Sequence, residues 1–136
     1  MEETEALRRL ARARVGRLAT AGPDGVPHVV PFVFVLTGRT LYWAVDQKPK
    51  RSPRLRRLDN IRANPRVEVV VDHYDEDWSG LWWVRASGAA RFVDEGEERS
   101  RALRSLVEKY PQYSRDPPEG PVVAIDMDRC SGWSAR

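Results

Sequence analysis

Apolar and polar residues alternate along most of this chain, a pattern typical of strands that bury one face. Six segments carry it: 15–21, 26–38, 40–45, 66–74, 81–93 and 122–135. Pro27 and Pro31 remove hydrogen-bond donors from the long second segment, which favours an edge strand or a bulge. Gly88 predicts a bulge in the fifth segment, and the last segment is expected to break near Arg129.

Three other segments are predicted to be helices. Residues 2–14 show helical spacing of their leucines, and residues 94–110 begin with acidic side chains that stabilise a helix N-terminus. A short third helix is predicted with Ser52 as its N-cap and Pro53 in its first turn. It is expected to stop at residues 63–65, where Asn precedes Pro.

The predicted order is a helix, three strands, a short helix, two strands, a helix and a final strand. Short connections between consecutive strands require mostly antiparallel pairing. We therefore expect a mainly β protein of the α+β class, whose six or seven strands curl into a small barrel. The chain has 136 residues, which suits one compact domain spanning residues 1–136.

Composition narrows the classes of protein. The chain is 41% hydrophobic, as globular proteins are, and its apolar runs are too short to span a bilayer. The N-terminus lacks the apolar centre of a signal peptide, so a cytoplasmic location without a membrane partner is expected. Cys130 is the single cysteine, which excludes an internal disulfide. His28 and His73 are the two histidines, and no metal-ligand spacing surrounds them, so we expect no metal site.

Positive charge is concentrated in one stretch. Six of the ten residues 48–57 are basic and none is acidic: Lys48, Lys50, Arg51, Arg54, Arg56 and Arg57. The whole chain carries +3, and subtracting this +6 leaves −3 for the remaining residues. One basic segment on a mildly acidic protein favours a local anion site over a broad nucleic-acid surface.

A helical wheel gives the basic side chains different directions. The apolar stripe of the short helix consists of Leu55, Leu58 and Ile61. Arg54 falls within this stripe and Arg57 at its edge, whereas Arg56 points to solvent. Lys50, Arg54 and Arg57 align on one side if the helix extends back into the loop, with Lys48 nearby. Free N–H groups at the helix start add donors, so the segment suits one or two phosphates.

Two alternatives exist for the basic stretch. A run of charge is often only a solvated face. The lack of interleaved acids, the capped helix start and the preceding aromatic strand favour an anion site instead. RNA binding is the second alternative, and the acidic remainder and the lack of a recognition motif argue against it.

Two sequence motifs resemble a known family. "RRLDNIRANPRV" at 56–67 is similar to the phosphate-anchor segment of the pyridoxamine 5′-phosphate oxidase-like split β-barrel proteins. "RVGRLATAGPDGVPHVVPFVF" at 14–34 resembles the first hairpin of that family. The short length, "DEDWSGLWWVRASG" at 75–88 and the terminal "GWSA" look most like its coenzyme F420-dependent group from actinobacteria. The same barrel also holds FMN or haem.

The resemblance implies an antiparallel split β-barrel that forms a homodimer, with two cofactor sites at the subunit interface. It implies hydride transfer between the deazaflavin coenzyme F420 and a small organic substrate. The alternatives are an FMN-binding oxidase or reductase and a non-catalytic flavin, deazaflavin or haem carrier.

The resemblance also suggests site residues. Arg57 matches the position that contacts the cofactor phosphate, Arg56 is the first of the basic pair, and the backbone of β segments 29–32 and 43–45 flanks the ring. Tryptophans such as Trp78 offer walls for it. The expected cofactor-binding residues are Lys48, Lys50, Arg51, Arg54, Arg56, Arg57, Val30, Pro31, Trp43, Ala44 and Trp78. No catalytic acid or base is assigned, because a strand histidine such as His28 is more often structural.

Overall fold

A computed structural model describes residues 1–45 and 55–136. The strands are β1 (Gly16–Ala21), β2 (Pro27–Phe32), β3 (Val35–Thr37), β4 (Thr40–Ala44), β5 (Arg66–His73), β6 (Trp82–Phe92) and β7 (Val122–Ser134). The helices are α1 (Glu3–Arg12), α2 (Arg56–Ala63), α3 (Glu97–Lys109) and α4 (Pro111–Arg115), and a 3₁₀ turn spans Trp78–Gly80.

The strands of the described chain form one antiparallel sheet in the order β2-β1-β5-β6-β7-β4-β3. Its two edge strands, β2 and β3, are consecutive in the chain and are joined only by Val33 and Phe34. The sheet must therefore curl until its edges meet, and because the edges do not pair, the barrel is split there. The predicted α+β class and antiparallel split barrel are confirmed.

The predicted strand 26–38 is two strands, and contacts from α3 explain the interruption. The Phe34 N–H donates to the Tyr110 hydroxyl at 3.2 Å. The Phe34 carbonyl accepts from Lys109 Nζ at 2.9 Å and lies 3.0 Å from the same hydroxyl. The end of α3 thus satisfies backbone groups that a continuous strand would pair with a neighbour.

Strand β7 is continuous, so the predicted break near Arg129 is wrong. The irregularity is a bulge, because Ser87 pairs with Arg129 while Gly88 pairs with Met127, leaving one extra residue on β7. The register shift falls beside Gly88, as predicted, but the extra residue is Asp128 on β7 and not a residue of the fifth segment. A Cβ on Gly88 would lie 2.4 Å from the backbone oxygen of Asp126, so only glycine fits the close approach.

The core lies on the inner side of the sheet. Its largest fully buried side chains include Trp43, Phe34 and Leu10, and α2 adds Leu58 and Ile61. Helix α1 and helix α2 therefore cover the barrel with apolar faces. A second cluster joins α3 to the other side of β3 and β4. Strand β4 is therefore packed on both faces, against the main core on one and against α3 on the other. This strand carries part of the candidate site.

Arg91 ties α3 to the sheet from outside. Its guanidinium donates to Glu98 at 2.7 Å and to Asp126 at 2.6 Å, and the Tyr42 hydroxyl donates to Glu98 at 2.6 Å. The hydrogen bonds from Arg91 and Tyr42 lower the pKa of Glu98 to about 2. Burial, and then the hydrogen bond to Glu98, raise the pKa of Tyr42 to about 12. The network is a structural brace because each of its charges has a partner.

Candidate functional site: the start of helix α2

The described part of α2 begins at Arg56, and Leu55 is its N-cap with extended backbone angles, φ −84° and ψ 132°. The described helix thus does not include Leu55, and the predicted start at Ser52 and Pro53 and the alignment of Lys50 and Arg54 with Arg57 lie outside the described residues. Leu55 is partly buried against the core, and this tertiary packing favours its extended backbone over a helical one.

Four of the basic candidates lie outside the described residues: Lys48, Lys50, Arg51 and Arg54. Their proposed contacts stay predictions. The other two behave as the wheel predicted, since Arg56 is exposed and Arg57 is half-buried. The phase is set by Leu58 and Ile61, which are 5% and 3% exposed.

Arg57 lies over the ring of Trp43, with its guanidinium carbon 5.2 Å from the ring centre. Among the described residues, no carboxylate pairs with it, in contrast to Arg66 and Arg91, which are bound by acids. Burial lowers the pKa of the Arg57 guanidinium, although an arginine remains charged at neutral pH. The cation–π contact offsets part of the cost of this half-buried charge.

Each of these two side chains has an N–H donor that lacks an acceptor within the described structure. The donors are Arg57 Nε and Trp43 Nε1, and both atoms are buried. Buried donors are nearly always satisfied, because leaving one unpaired costs about 1–3 kcal/mol. A guanidinium charge with an N–H that has no acceptor in the described structure suits a phosphate oxygen. The residues present therefore fit a phosphate group.

The remaining candidates are spread over the barrel. Val30 is half-buried on the inner side of β2, and Pro31 is exposed on its outer side. Trp43 and Ala44 are 1% and 9% exposed in β4. Trp78 is 67% exposed in the turn after β5, at the opposite end of β5 from α2. The structure thus brings Arg57 and Trp43 together and does not bring Trp78 to them.

A buried polar pair that the sequence did not reveal supports α2 from below. Asn60 Nδ2 donates to Thr20 Oγ1 at 3.0 Å, and the two residues are 7% and 3% exposed. His28 faces Thr20 across the β1–β2 pair, and its Nδ1 is buried without a partner in the described structure. The sequence feature that could have predicted a buried role for Asn60 is its position three residues after Arg57, on the side of α2 that packs inward.

Two other features were sought among residues 1–45 and 55–136. No group of three or more His, Cys, Asp or Glu side chains is close enough to hold a metal ion there. No helix in those ranges has the length and apolar character needed to cross a membrane. Cys130 is buried, as expected for a small apolar side chain, and burial raises the pKa of its thiol.

The class of protein is a small antiparallel split barrel with a candidate phosphate site at a helix start, where an arginine without a carboxylate partner among the described residues lies over a buried tryptophan. The family model described as pyridoxamine 5′-phosphate oxidase matches residues 2–134. The chain belongs to this family.

Solved structures share the fold. A conserved hypothetical protein from Mycobacterium tuberculosis is 26% identical, with a TM-score of 0.81 over 100% of this chain and 86% of that chain. An FAD-binding protein from Mesorhizobium loti is also 26% identical, with a TM-score of 0.73 over 97% and 94%. The haem storage protein of Vibrio cholerae is 13% identical, with a TM-score of 0.73 over 98% and 95%. Among curated proteins, none matches this sequence.

Proposed function

We propose that this protein binds coenzyme F420 and transfers a hydride between its deazaflavin ring and a small organic substrate. The observation that carries the proposal is the half-buried Arg57 over Trp43, which has no carboxylate partner in the described structure. A phosphodiester there would accept hydrogen bonds from Arg57 and would neutralise its charge.

In this proposal, the residues of the chain bind the cofactor and orient its ring. Arg57 holds the phosphate and so fixes the depth of the cofactor, while Phe32 packs edge-on against Trp43 at 6.2 Å and makes the floor rigid. When bound, the deazaflavin supplies the carbon that carries the hydride. For hydride transfer, the protein must hold the ring in a fixed position and exclude water. No acid or base is needed to hold the ring, and none is assigned.

FMN is the second candidate cofactor, in an oxidase or reductase of the same family. The FAD-binding protein from Mesorhizobium loti supports a flavin, because it shares the fold at 26% identity over nearly the whole chain. A non-catalytic flavin or haem carrier is a further alternative, to which the Vibrio cholerae protein lends only a shared fold.

A side-by-side titration tests the cofactor. We expect coenzyme F420 to bind more tightly than FMN or haem, because its carboxylate tail adds charge that Lys48 and Lys50 can meet. Its affinity should fall as salt rises, since exposed charge pairs are screened. Dissociation constants from fluorescence quenching at two salt concentrations measure both effects. Tighter binding of FMN in the same buffer would assign the protein to the flavin branch, and a Soret band would indicate haem.

The protein is also proposed to be a homodimer, as the family resemblance implies. The outer face of the sheet exposes apolar side chains that a second copy would cover, among them Val29 at 64% and Trp133 at 45%. Trp133 pairs with Trp83 on the adjacent strand, which widens the apolar patch.

Light scattering at micromolar concentration is expected to give the mass of a dimer. Val29→Glu should shift the protein toward monomer, because it buries a charge in the proposed interface. Arg104→Glu is the control, since Arg104 is exposed on α3 and pairs only weakly with Glu97 at 3.4 Å. A wild-type monomer, or equal masses for all three proteins, would rule out this interface.

A further inference from the structure

We propose that the buried hydrogen bond between Thr20 and Asn60 is a positioning contact that aims Arg57 at the cofactor phosphate. This inference rests on the proposed function, because the phosphate site at Arg57 is part of it. Thr20 and Asn60 lie beneath α2, so they would act through Arg57 and not by touching the cofactor.

The geometry holds the Asn60 amide at both of its atoms. Its Nδ2 donates to Thr20 Oγ1 at 3.0 Å. Its Oδ1 lies against Gly22, where an added Cβ would be only 2.7 Å away. Strand β1 and the glycine that follows it therefore form a fitted seat for one amide group. Arg57 is one helical turn earlier on the same side of α2, so its position is tied to that seat.

The apolar anchors of α2 set its phase only coarsely. The helix has eight residues, too few to be stable without tertiary contacts. Leu58 and Ile61 hold it to the core by apolar burial, which has no directional preference. A hydrogen bond does depend on angle and distance. The Thr20–Asn60 bond is therefore a directional contact that refines the rotation set by Leu58 and Ile61.

A small error in rotation would matter for phosphate binding. Turning the helix by about 15° moves a side-chain tip about 5 Å from the axis by more than about 1 Å. Displacements of that size can cost an enzyme up to about a hundredfold in rate. The Arg57 guanidinium is also confined by the Trp43 ring 5.2 Å away, so it cannot readily swing back to compensate.

The test replaces Thr20 by valine, which removes the hydroxyl group and keeps the shape of the side chain. Thr20→Val should raise the dissociation constants for coenzyme F420 and FMN about five- to tenfold, while Thr20→Ser should restore them to within about twofold. Gly22→Ala should weaken binding too, because its Cβ displaces the Asn60 amide from the other side. Binding is measured well below each thermal midpoint, so that every variant is fully folded.

A matched control separates positioning from stability. Thr40 Oγ1 donates to Asp126 at 3.0 Å on the β4–β7 pair, away from α2. Thr40→Val likewise removes a threonine hydroxyl from a side-chain hydrogen bond, here an exposed one, so it should lower the thermal midpoint slightly and leave both dissociation constants unchanged. If Thr20→Val behaves like Thr40→Val, its hydroxyl has only a structural role and the inference is wrong.

A double-mutant cycle shows whether the effect passes through Arg57. In an Arg57→Ala background, Thr20→Val should change the dissociation constants by less than about twofold, because no guanidinium remains to be aimed. The same factor in both backgrounds would overturn the positioning role while leaving the phosphate site intact. If Arg57→Ala alone has no effect, or wild type binds neither cofactor, the phosphate site fails and this inference fails with it.

Discussion

Replacing Arg57 with alanine is expected to weaken cofactor binding about tenfold or more. The change removes one charge-assisted contact, worth about 1.5–3 kcal/mol. Folding should change little, because Leu58 and Ile61 still bury the inner face of α2. Removing a half-buried charge without a carboxylate partner in the described structure can even relieve the native state. Dissociation constants and thermal midpoints of the variant measure the two effects separately.

Arg56 provides the control for this result. It precedes Arg57 in the chain but is exposed, so Arg56→Ala should cost less than about 1 kcal/mol of binding, as for exposed ion pairs. Equal losses for the two variants would mean that the phosphate lies on the outer side of α2. Unchanged binding in both would show that the start of α2 is not the phosphate site.

Local patterns predicted most of the fold, and long-range contacts account for what they missed. Period-two alternation located the strands because each buries one face of the barrel. The interruption between β2 and β3 was not predictable locally, since Phe34 is held by Tyr110, 76 residues later in the chain. The extended backbone of Leu55 was not predictable locally either, because Leu55 packs against the core, whereas the predicted cap at Ser52 and Pro53 lies outside the described residues.

The sequence predicted those features of the candidate site that depend only on the geometry of a single helix. The difference between Arg56 and Arg57 follows from a wheel, because both are on α2. The position of the Trp43 ring beneath Arg57 could not be predicted in this way, because it depends on how α2 packs over β4. Trp43 was expected to flank a cofactor ring and is 1% exposed beneath Arg57. The Thr20–Asn60 bond joins residues 40 apart, and its only trace in the sequence is a polar residue on an inward-facing position.

Trp43→Ala is expected to have the largest effect on stability, a loss of about 3–5 kcal/mol in the free energy of unfolding. The side chain is 1% exposed, and its ring packs edge-on against Phe32. Its removal leaves a cavity in the main core and takes away the floor on which Arg57 rests. Cofactor affinity should therefore fall as well. Trp43→Phe keeps an aromatic floor and should retain more of both.

Trp78→Ala is the matched control, since the same substitution is made at a ring that is 67% exposed. It should change the free energy of unfolding by no more than about 0.5 kcal/mol, because little apolar area and one long hydrogen bond to Tyr74, at 3.4 Å, are lost. Urea unfolding curves give both free energies, and titration with FMN and coenzyme F420 gives the affinities. Similar losses of stability for the two tryptophans would contradict the buried position of Trp43. A loss of affinity in Trp78→Ala without a loss of stability would instead place the ring of Trp78 at the cofactor, as the sequence predicted, and would require a partner subunit to bring it there.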